Sequence, residues 1–161
     1  MTTAAKTVRT PLGEALTDLI LNMFRVNNRT LTWGDRLAAP FGLTSARWQI
    51  LGAIVFADRP QPVAWLARDL GASRQNVQRI VNDLVTDGLV VFAPNPHHRR
   101  AQLVVLTNKG RRIYDAVIRA YDQRVNSLAE GLSLSDVKAA GRVMAALRAR
   151  LEQFDENGDQ A

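Results

Sequence analysis

The chain has 161 residues, 47% of them hydrophobic and 22% charged, and a formal net charge of +6. That length supports one compact domain or two small subdomains with a real core, and the basic surplus favours a polyanionic partner. With no cysteine present, disulfides, Cys-ligated zinc, iron–sulfur clusters and thiol redox sensing are excluded. No apolar run approaches the roughly 18 residues of a membrane span and no signal-peptide core opens the chain, so the expected address is the cytoplasm, with no membrane partner.

Residues 1–9 are small and polar and are expected to fray. Thr10-Pro11 is a helix start, with a capping hydroxyl, proline at the first helical position and Glu14 in the first turn. Leu12, Leu16, Leu19, Met23, Val26, Thr30, Trp33 and Leu37 then recur at steps of four and three. This spacing predicts one helix over 11–38, ending before Pro40. The helix is too long to bury its stripe against a small domain alone, so part of it is expected to meet a partner subunit. Thr44 caps the next helix, whose core side carries Trp48, Leu51, Ile54 and Val55, and Asp58-Arg59-Pro60-Gln61-Pro62 breaks it.

Val63 to Leu70 reads as a short helix with Leu66, Ala67 and Leu70 inward, started by the fixed φ of Pro62. Gly71-Ala72 turns it directly into a second helix over 73–87. Here Val77, Ile80, Val81, Leu84 and Val85 form one buried stripe, Ser73 is the cap and Gly88 the stop. Two short helices joined by a glycine-containing turn form a helix-turn-helix unit. The face opposite the stripe carries Arg74, Gln75, Gln78, Arg79 and Asn82. Guanidiniums and amides are the groups that read base edges and phosphates, and the Glu/Lys pairs of an ordinary solvated helix are missing. After Gly88 the period changes. Leu89–Phe92 and Leu103–Leu106 are two β-type runs around the turn Asn95-Pro96-His97-His98-Arg99-Arg100. A two-stranded hairpin with a basic tip, directly after such a helix, reads as a wing; a solvated hairpin loop is the alternative.

Thr107 caps a helix of about 108–130, with Tyr114, Ile118, Tyr121, Val125, Leu128 and Leu132 on one side and Gly131 at its end. Ser133 to Asp136 is a capping box with a short acid, and the last helix carries Val137, Ala140, Met144, Leu147, Leu151 and Phe154. Residues 155–161 read as a tail. The predicted fold is mainly α with a small β-wing: six helices, the wing between the fourth and fifth, in a dimeric winged helix-turn-helix protein. Core packing is expected for Trp33, Trp48 and Trp65. His97-His98, adjacent on a loop with no nearby carboxylate, is a poor metal site. No glycine-rich phosphate loop, metal-ligand spacing or nucleophile motif is present, so neither an enzyme nor a cofactor is expected.

In order and spacing the chain resembles the MarR-type (multiple antibiotic resistance regulator) winged-helix transcription factors. The resemblance rests on Gly42-Leu43-Thr44 with Trp48 and Leu51, Leu66-Ala67 to Leu70-Gly71, Ser73-Arg74-Gln75-Asn76-Val77, and Leu84 with Asp87-Gly88-Leu89-Val90. Arg100 through Leu103-Val104 to Leu106-Thr107 and Gly110 completes it. It implies a homodimer whose first and last helices interlock: residues 11–38 and 108–154 for dimerisation, 43–107 for DNA binding. It also implies a palindromic operator, usually repression, and release by a small aromatic or anionic effector. One position departs from the family. An acid usually stands two residues before the arginine matching Arg100 and helps to hold it; here the residue is His98, which can instead add positive charge at mildly acidic pH.

On double-stranded DNA, Ser73, Arg74, Gln75, Asn76, Gln78 and Arg79 are the expected major-groove set, with Ser73 capping or touching phosphate. Arg100 is the expected minor-groove residue, Arg99 a phosphate contact, and His98 their neighbour. The effector pocket implied by the family lies where Met23, Val26, Trp33, Phe41 and Trp48 fall, with Arg25, Arg29 or Arg47 facing an anion. Two other readings stay open: a ligand-independent regulator or activator, and a winged-helix module used for protein contact only.

Overall fold

The structure, a computed structural model, describes residues 8–158, with side chains as far as Phe154. Residues 1–7 and 159–161, which belong to the two expected tails, lie outside the described residues. Helix α1 runs Pro11–Ala38, and its Thr10 cap accepts from the Gly13 amide at 3.1 Å. A single 3-10 turn, Ala39–Phe41, leads through Gly42 (φ +71°) into α2, Ser45–Phe56. The α1–α2 junction is tight. Asp35 accepts from the Ser45 amide at 2.7 Å, and a Cβ on Gly34 would stand 2.7 Å from the Ser45 hydroxyl.

The helix-turn-helix is α3, Val63–Asp69, and α4, Arg74–Thr86. Strands β2, Val90–Ala93, and β3, Leu103–Leu106, form the wing hairpin in the register Val90↔Leu106 and Phe92↔Val104. The sheet has a third strand absent from the sequence reading. Gln61–Pro62, β1, pairs antiparallel with β3, giving the order β1-β3-β2. Proline is tolerated there because β1 lies at the sheet edge. Helix α5, Asn108–Ala129, starts where Thr107 accepts from the Gly110 amide at 3.0 Å. Gly110 is required by contact: a Cβ there would lie 2.0 Å from the Leu89 carbonyl oxygen.

The chain divides into two units, residues 1–121 and 122–161, with the boundary inside α5. The first unit has the core. Ile50, Leu51, Leu66, Val77, Val81 and Leu84 from the three central helices close on Val90 and Val104 of the sheet and Val117 of α5. Burying these large apolar side chains contributes on the order of 2 kcal/mol each. Tyr114 is also buried, and burial pushes its hydroxyl above the ordinary tyrosine pKa, with a lesser lowering by Arg111 and a lesser raising by Asp115.

The second unit holds the end of α5, a turn through Gly131 (φ +79°) and α6, Leu134–Gly158. The helix thus continues past Phe154, through residues expected to be tail. Ser133 does not form the expected capping box with Asp136; its hydroxyl meets that of Ser135 at 2.6 Å. No residue of α6 with a described side chain is buried.

Candidate nucleic-acid interface

Helix α4 presents the predicted division of faces. Val77, Ile80, Val81 and Leu84 are buried, while Ser73, Arg74, Gln75, Asn76 and Arg79 are exposed and Gln78 is half-buried. Ser73 caps the helix, its hydroxyl accepting from the Asn76 amide at 3.3 Å. The polar side chains fall into two groups. Arg79 is held: it donates to Asn76 Oδ1 at 3.2 Å and stands 3.6 Å from Asp83 Oδ2. Gln78 likewise donates to Asn82 Oδ1 at 3.0 Å. Arg74 and Gln75, at the N-terminal end, make no side-chain hydrogen bond among the described residues. The Arg79–Asp83 pair is an i, i+4 ion pair, so the face is not free of the pairing that marks ordinary solvated helices.

The wing loop is closed by a residue that the sequence reading credited only with turn chemistry. Asn95 donates through Nδ2 to the Ala101 carbonyl at 2.8 Å and accepts through Oδ1 from the His97 amide at 3.0 Å. The His98 backbone adds a bond from its amide to Asn95 O (3.3 Å) and accepts from the Ala101 amide (3.0 Å). His98, Arg99 and Arg100 are exposed, and no carboxylate pairs with either arginine among the described residues. The Asn95 amide thus shapes the loop without hydrogen-bonding either arginine.

The residues expected around an effector are only partly brought together. Trp33 and Trp48 both meet Tyr121 edge-on, at 5.8 and 5.2 Å between ring centroids, and Phe41 packs on the same core. Met23 is half-buried and Val26 is exposed. Arg25 and Arg29 are exposed. Arg47 is already engaged: its guanidinium is ion-paired with Asp87 and donates to the Gly42 carbonyl at 3.4 Å. Trp65 corrects the expectation of core packing. It is 44% exposed on the outer side of α3, between the guanidiniums of Arg59 (5.8 Å) and Arg68 (5.7 Å). Helix α3 turns only Val63, Leu66 and Ala67 fully inward, and position 65 falls on its other side.

A family model described as MarR family matches residues 41–101, the span from the end of the 3-10 turn through α4 and β2 into the wing loop. An uncharacterized protein of Mycobacterium tuberculosis is 35% identical over 142 residues, covering 86% of this chain and 98% of that protein. The chain belongs to the MarR family.

By that membership it is a winged-helix, DNA-binding protein of transcription regulation. Another relative in sequence is the transcriptional activatory protein BadR of Rhodopseudomonas palustris, 33% identical over 112 residues, 64% of this chain and 62% of BadR. Among solved structures, CouR of Rhodococcus jostii bound to p-coumaroyl-CoA has a TM-score of 0.72 at 22% identity, covering 81% of this chain and 91% of that one. The repressor CouR bound to a 23-mer DNA duplex gives 0.71 at 24%, covering 88% and 99%. These likenesses show that the MarR fold extends well beyond the matched residues. No helix among the described residues is long and apolar enough to cross a membrane.

Proposed function

We propose that this MarR-family chain is a sequence-specific transcription regulator that binds a palindromic operator as a homodimer. Helix α4 enters the major groove, and the wing at residues 95–100 reaches the adjacent minor groove. The observation that carries this reading is the exposed N-terminal end of α4. Among the described residues Arg74 and Gln75 stand there with unengaged donors, on a helix that buries Val77, Ile80, Val81 and Leu84 on its opposite face. A folded protein gains nothing in stability from such a surface, whereas base edges and phosphates match it. The test is selection of bound duplexes from a random pool, followed by titration of the selected site at several salt concentrations. A salt-independent weak interaction, or Arg74→Ala binding as tightly as the parent, would favour the protein-contact module instead.

The homodimer is supported by α6. Leu134, Val137, Leu151 and Phe154 are exposed along it, as are Leu128 and Leu132 before it. A second copy supplies the cover such a stripe requires, with residues 11–38 and 108–154 as the dimerisation region. Repression is the sign we favour, and the likeness to BadR supports activation as the second reading; expression of an operator-linked reporter with and without the protein separates them. The cluster of Trp33, Trp48 and Tyr121 supports an aromatic effector, and CouR's ligand suggests an aromatic acid or its thioester. Titrating such acids into the operator complex tests this; if none releases DNA, the regulator is ligand-independent.

A further inference from the structure

The C-terminal end of α4 is gripped by two other helices, and the cations that do so stand where their own helices disfavour them. Asp87 caps α4, and its carboxylate pairs with the Arg47 guanidinium in the first turn of α2. Its backbone carbonyl accepts from Lys109 Nζ at 2.8 Å, in the first turn of α5. Beside it the Thr107 hydroxyl donates to the Gly88 carbonyl at 2.8 Å. A cation in the first turn opposes the helix dipole, and neither α2 nor α5 has an acid there to offset it. Helix α4 has no basic residue in its own last turn. Its C-terminal partial charge is met from outside, by Arg47 and Lys109. The arrangement carries a further cost, since Arg47 Nε is buried without a partner.

We propose that Arg47, Asp87 and Lys109 form a clamp that sets the angle at which α4 enters the groove, making them positioning residues for operator discrimination. This rests on the DNA-binding reading above. The helix is 13 residues long, about 20 Å from the clamped end to Arg74. A small tilt at Asp87 therefore moves the base-reading end through a larger arc. None of the three need touch a base.

The experiment exploits a conflict of signs. Asp87→Asn removes a negative charge from a DNA-binding lobe, which by electrostatics alone strengthens binding to every duplex. If the clamp positions α4, affinity for the selected operator falls about tenfold while affinity for random duplex holds or rises. Arg47→Gln should lower the operator-to-random ratio similarly, and the double variant no further, since both remove one interaction. Thermal melting of each variant keeps folding defects separate. An unchanged ratio, an equal change on both duplexes, or additive single effects would overturn the clamp. Hydrogen exchange supplies an arm that needs no DNA: both variants should speed exchange at the last-turn amides of α4 and leave those of α3 alone. Unaltered exchange at α4 would also overturn the proposal, whereas a parent that discriminates no duplex would overturn the DNA-binding reading instead.

Discussion

Arg99 and Arg100 are neighbours on one loop, yet different losses are expected from removing them. Arg100→Ala should weaken operator binding and flatten preference for A·T pairs beneath the wing, because a narrow minor groove concentrates negative potential. Arg99→Ala should weaken all sequences about equally and lower the salt slope by about one. Titration on matched A·T-rich and G·C-rich sites distinguishes the two. Asn95→Ala removes both side-chain bonds that close the wing, at a cost of roughly 1 kcal/mol each. It should reduce operator affinity without removing any charge, leaving the salt slope intact. Stability has its own pH dependence, through Tyr114. Its folded-state pKa is raised by burial, so the stability it contributes is complete below the ordinary tyrosine range. That stability is lost as pH rises through the raised value. Tyr114→Phe should make the alkaline fall in melting temperature shallower.

Among the elements, the closest approach is between α5 and the start of β2. Gly110→Ala forces a methyl group onto the Leu89 carbonyl and the Leu106 side chain, and about 1–3 kcal/mol of stability or more should be lost, readable as a drop in denaturation midpoint. All six helices were legible in the amino-acid sequence because each shows apolar residues at helical spacing, and four of them also carry a hydroxyl cap. Thr10, Thr44, Ser73 and Thr107 act as the caps expected of them. Strand β1 was not legible, since two residues ending in proline show no alternation and are extended only because β3 lies alongside. Pairings between distant residues were equally hidden. Nothing local to Arg47 indicates Asp87, forty positions away, so in the sequence Arg47 reads as a charge available to an anionic effector. Trp65 misled for the opposite reason: its bulk suggests a core, while its place on a two-turn helix puts it outside. The helical residues past Phe154 lack the apolar spacing by which the rest of α6 was recognised.

At the scale of the whole molecule, the proposed dimer makes two demands. The two α4 helices should meet half-sites about one helical turn apart, roughly 34–36 Å centre to centre. Inserting five base pairs between the halves of the selected operator should abolish tight binding by turning one half-site to the opposite face, and about ten should also abolish it by moving that half-site a further turn out of reach. Leu151→Glu, placing a charge on the exposed stripe of α6, should shift sedimentation from dimer to monomer and weaken operator binding in parallel. A variant that stays dimeric and binds normally would remove α6 from the interface. Pairing through the bare α6 surface, as proposed, would also govern how the protein responds to its own abundance. If only paired chains grip both half-sites, occupancy rises with about the square of chain concentration at low dose. The switch between free and occupied operator is then steeper than one-site binding allows. A copy that pairs normally but lacks Arg74 and Arg79 would draw intact chains into mixed, one-handed dimers. Such a copy should be dominant, silencing the intact protein without touching DNA itself.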